Sequence, residues 1–100
     1  MTHNPGQHAK VAADAVARLV QEVRAGRAAW EHPHTIGATA EEAARLCESL
    51  AIALQELAGA WGRCGPRGPR GDQAIGALHQ AGQSTTAAAR HLRRARQTMR

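Results

Sequence analysis

The chain has 100 residues, a formal charge of +5 and two cysteines, and it contains neither Phe nor Tyr. That length allows one domain, and Val, Ile and Leu together number 14 against 23 alanines, a composition close to the border with disorder. No run approaches the ~18 apolar residues of a membrane span, and residues 1–7 have neither the basic lead nor the apolar run of a secretory signal.

The first helix is expected over about residues 5–29. Asn4 can cap it, Pro5 suits the first helical position, and Gln7 completes a capping box. Ala12, Val16, Leu19, Val23, Gly26 and Trp30 then recur in steps of four and three, the period of an amphipathic helix. Gly26 weakens the last turns, where Arg27 can lean on Glu31.

Residues 31–38 read as a connection, because Pro33 blocks a continuing helix and Gly37 is a loop residue. Thr39-Ala40-Glu41-Glu42 forms a capping box with acids in the first turn, so a second helix is expected over about 39–63. Its seam runs through Ala43, Leu46, Leu50, Ala53, Leu57 and Ala60, with Cys47, Leu54 and Trp61 beside it. Gly62 and Gly65 mark its end, where a left-handed cap is usually glycine.

Gly65 to Gly71 reads Gly-Pro-Arg-Gly-Pro-Arg-Gly, a stiff turn. Asp72 can cap a third helix over about 72–98. Its seam is a regular heptad of mostly small residues: Ala74, Leu78, Ala81, Thr85, Ala88, Leu92, Ala95 and Met99.

Short connections make successive helices antiparallel neighbours. The expected fold is therefore all-α: one domain over 1–100, an up-down-up three-helix bundle, or a long helical hairpin plus a third helix. Fourteen aliphatic side chains spread over three such rods bury little apolar surface, so the bundle is expected to self-associate or to join a helical partner. Ile52 points the same way, standing among Arg45, Ser49 and Glu56 on the polar side of its helix. The partner-interface candidates are Ile52 with Ala74, Leu78, Ala81, Ala88, Leu92 and Ala95.

Charge is distributed unevenly. Residues 1–62 carry a net −2 and residues 63–100 a net +7. Basic residues near a helix C-terminus suit the macrodipole and can be a solvated face. They can also form a polyanion site, for which Arg63, Arg67, Arg70, Arg90, Arg93, Arg94 and Arg100 are the candidates. Binding of nucleic acid there would be sequence-independent phosphate contact. The first connection is too long for a helix-turn-helix, and the basic half has no aromatic residue for stacking on single strands.

Chemistry-bearing signals are sparse. His32 and His34 lack further ligands at zinc spacing, and His79 and His91 do not share a helix face. Ser49 and Ser84 have no nucleophile elbow, and Cys47 beside Glu48 is not an activated thiol. The glycines match neither phosphate-loop spacing. No catalytic residue, metal or cofactor is expected. Cys47 and Cys64, about 25 Å apart if on one helix, are beyond disulfide reach, so a reducing, cytoplasmic setting is expected. Gly, Ala, Arg and Pro, with GC-rich codons, make up 49 of the residues, as in a high-GC bacterial genome. The leading expectation is a non-enzymatic helical protein acting through protein–protein interaction, as a homodimer or an accessory or regulatory subunit. The alternatives are a sequence-independent nucleic-acid-binding accessory protein and an inhibitor or immunity protein of a mobile element.

Overall fold

A computed structural model describes residues 4–26 and 33–99. The described residues are 91% helical without a strand, so the all-α expectation is borne out. Three helices follow one another: α1 (Pro5–Arg24), α2 (Pro33–Cys64) and α3 (Pro69–Thr98). Each opens on a proline, whose missing N–H costs nothing at the first helical position and whose fixed φ already suits the helix.

The chain divides into two compact units, the first carrying α1 and the second α2 and α3. In α1 the Asn4 side chain accepts the Gly6 N–H at 2.9 Å, as its capping chemistry predicts. The helix stops at Arg24, short of the expected 29. Gly26 adopts φ +73, a left-handed conformation that glycine tolerates and that ends the run. The expected Arg27–Glu31 pair, Trp30 and His32 lie outside the described residues.

Helix α2 begins at Pro33 instead of Thr39, so most of the expected connection is helical. Pro33 initiates this helix where a continuing one would have been blocked. Thr39 sits inside the helix, and its Oγ1 donates to the Thr35 carbonyl at 2.9 Å instead of capping. Helix α3 likewise starts at Pro69 rather than Asp72, which occupies the first turn. At the end of α2 the Gly65 N–H donates to the Trp61 carbonyl at 2.7 Å. The positive-φ glycine of the turn is Gly68, at φ +126, and not Gly62 or Gly65.

Helices α2 and α3 pack as an antiparallel hairpin. A Cβ added at Gly37 would meet Arg96, one at Gly82 would lie 3.6 Å from the Ala51 carbonyl oxygen, and one at Gly62 would lie 3.7 Å from Ile75 Cδ1. Neighbours therefore climb one helix while descending the other. The packing line differs from both expected seams. On α2 the buried residues are Gly37, Ala44, Ala51 and Ala58, one heptad apart; on α3 they are Gly71, Gly82 and Ala89. The α2 line, and Gly82 and Ala89 on α3, are turned by one residue, about 100°, from the expected seams, whereas Gly71 lies one heptad before Leu78 on the expected one. The physical reason is size. Interaxial distance depends on the side chains at the contact, so glycine and alanine let the two backbones approach, Leu54 stays half-buried beside Gly82, and Leu46, Leu50 and Leu57 move to the flank.

Candidate functional site

The displaced leucines define the most distinctive surface of the hairpin. Ala43, Leu46, Leu50, Ala53, Leu57, Ala60 and Cys64 of α2 alternate in steps of three and four on one side of the buried line, with Ile36 one heptad before Ala43. Leu46 is 43% exposed, Leu50 46% and Leu57 52%, so the seam expected to form the core is largely uncovered. On α3 the same side carries Ala74, Leu78, Ala81, Ala88, Leu92, Ala95 and Met99. Leu78, Leu92, Ala74, Ala88 and Ala95 are half-buried, whereas Ala81 and Met99 are exposed.

Two observations fix the sides. A groove of about 400 Å³ near the turn is lined by Leu57, Ala60, Trp61, Cys64, Gly65, Pro66 and Leu78, which joins the α2 and α3 stripes on one face. On the other face Arg93 Nη1 donates to Glu41 Oε1 and Nη2 donates to Glu48 Oε1, bridging the helices. Helical phase then places Glu41, Glu48, Arg90 and Arg93 on the polar side of the packing line, whereas Glu42, in phase with Ala60, and Arg94, which lines a shallow groove with Ala95 and Met99, stand at the outer edge of the apolar face. The hairpin thus has one mainly aliphatic face, bordered near its open end by His91 and Arg94, and one rich in charges and amides.

Six of the seven interface candidates, Ala74, Leu78, Ala81, Ala88, Leu92 and Ala95, are brought together on the apolar face. Ile52 is not. It is 62% exposed and lies on the polar side, with Arg45 one heptad before it. The residues that sequence reasoning missed are Leu46, Leu50 and Leu57, which it assigned to the interior. The signal was present as a second heptad, Gly37-Ala44-Ala51-Ala58, lying one residue away on the same helix.

The arginine candidates are scattered. Arg93 is bound to two carboxylates, and the hydrogen bonds it donates to Glu48 and then Glu41 raise its pKa above the ordinary guanidinium value. Arg63, Arg67, Arg70, Arg90 and Arg94 are exposed and make no ion pair among the described residues. Arg67 and Arg70 stand with Trp61 around the turn, while Arg90 borders a shallow depression with Gln55, Gln83 and Thr86 on the polar face. Arg96 lies across Gly37 with its Nε buried and unpartnered. Arg100 lies outside the described residues.

Both cysteines are free; Cys47 is half-buried rather than buried, and Cys64 is exposed. Among the described residues no group of His, Cys, Asp and Glu is placed to hold a metal ion, and no helix is long and apolar enough to cross a membrane. No known protein family, curated protein or solved structure matches the chain.

Proposed function

We propose that this is a non-enzymatic helical protein that acts through protein–protein contact, using the apolar face of the α2–α3 hairpin. The observation that carries the reading is the segregation itself. Leu46, Leu50 and Leu57 stand roughly half exposed along a face whose middle is aliphatic, while Glu41, Glu48 and Arg93 are gathered on the other side. Contiguous apolar patches of this kind mark interaction surfaces on soluble proteins. A helical partner suits the heptad spacing, because knobs at three-four intervals seat between the side chains of a facing helix.

The arginines are read within the same frame. Acids of α2 and arginines of α3 share the polar face, so Arg93 neutralises two carboxylates instead of contributing to a uniformly basic surface. That arrangement supports a solvated outer surface on which Arg93 is ion-paired and Arg90 and Arg94 stand in water.

The test is the substitution of Leu50 and Leu57 together by Glu, followed by light scattering and thermal unfolding. Loss of assembly mass and a lower unfolding temperature, with helical content retained, are the expected results. If mass and unfolding temperature both stayed unchanged, the leucines would be merely solvated and the reading would fall.

A further inference from the structure

We infer that the occupant of the apolar face is a second copy of this chain, seated so that α2 of each copy lies across α3 of the other. This rests on the protein–protein reading above and adds the partner and its orientation. The two stripes of the face differ in relief. Helix α2 supplies a ridge, Leu46, Leu50 and Leu57, whereas α3 supplies a furrow of alanines, with Ala81 exposed at its centre. A surface with one ridge and one parallel furrow is complementary to itself under a two-fold rotation about an axis parallel to the helices. That rotation turns the face over and places each leucine ridge above the other copy's alanine furrow.

The chain direction agrees. Because α2 and α3 are antiparallel within one hairpin, this rotation makes every pair of adjacent helices antiparallel and yields an up-down-up-down four-helix bundle. A rotation about the perpendicular in-plane axis would set ridge on ridge and furrow on furrow. The area suffices as well. A face about 45 Å long and two helices, about 20 Å, wide offers roughly 900 Å² per copy, against the ~800 Å² per partner of a stable interface. Pairing leaves Glu41, Glu48 and Arg93 in solvent on the far side, and Glu42 and Arg94 stand at the rim of the face, where charge stays hydrated.

The orientation has a chemical signature at Cys64, which is exposed and closes the α2 stripe beside the turn. In the proposed pairing both turns lie at the same end. The two Cys64 thiols then sit on diagonal helices, about 11–14 Å apart for axes spaced 8–10 Å. With the turns at opposite ends they would be separated by about 40 Å, close to the length of the hairpin.

The experiment uses the full chain with Cys47→Ala, so that Cys64 is the only thiol, and a bis-maleimide just long enough to span the diagonal of the bundle. Circular dichroism matching the parent verifies folding. The expected result is a covalent dimer in most of the material, lost when Leu50→Glu is added. An assembly that light scattering detects but the reagent does not link overturns the orientation and leaves the protein–protein reading standing. A single-chain mass at every concentration overturns the second-copy inference, while the effect of the leucine substitutions on unfolding still tests the broader reading by itself.

Discussion

Gly71 and Gly76 lie five residues apart in α3 and should respond oppositely to an added methyl group. A Cβ at Gly76 meets nothing within 4 Å, so Gly76→Ala gains the helix propensity that glycine forfeits. Urea denaturation should show a gain of about 1 kcal/mol. A Cβ at Gly71 would collide with the Pro66 carbonyl oxygen, a backbone atom that side-chain rotation cannot move aside. Gly71→Ala should therefore cost ~1–3 kcal/mol in the same assay, because the whole turn must shift. Arg93 shows a different kind of residue-scale control. Its pKa is raised by Glu48 and Glu41, so its charge is retained in full through neutral pH and lost only in strong alkali. The bridge it makes is exposed enough to be weakened by salt.

At the scale of elements, α2 carries two heptads one residue apart, and only one can face α3. Period alone revealed the helix, and the search for bulky side chains then selected the leucines. The structure instead selects Gly37, Ala44, Ala51 and Ala58, because the closest approach of two backbones favours the smallest side chains. Helix existence and period were therefore legible in the residues, as was the capping role of Asn4. Which stripe met which partner was not, because that depends on the opposing helix. The starts of α2 and α3 were misplaced for a related reason: proline was treated as a barrier when it was the first residue of each helix. Ala51 tests this picture. It is buried beside Gly82, so Ala51→Leu overpacks the hairpin and should lower its stability by ~1–3 kcal/mol. The reverse kind of change at an uncovered position, Leu50→Ala, should leave the hairpin formed and weaken assembly instead. Denaturation read beside light scattering distinguishes the two.

At the scale of the whole molecule, the proposed interaction surface draws only on residues of the unit that carries α2 and α3. A chain starting at residue 32 should retain both the helical signal of the hairpin and its assembly mass in light scattering. Monomerisation of that shortened chain would assign the surface to a different occupant. The candidate face was half legible in advance. Its α3 stripe was identified from small residues in register, whereas its α2 ridge was hidden because the same leucines were assigned to the interior.

The connection between α2 and α3 also limits how two chains can exchange parts. If Cys64 to Pro69 straightened into helix, the hairpin would become one rod of more than sixty residues, and paired rods could trade arms in a domain swap. Pro66 and Pro69 each lack the N–H needed to carry a helix through, and Gly68 holds φ +126, outside the right-handed helical region. The bend thereby biases the chain against runaway strand exchange and favours closed, countable assemblies.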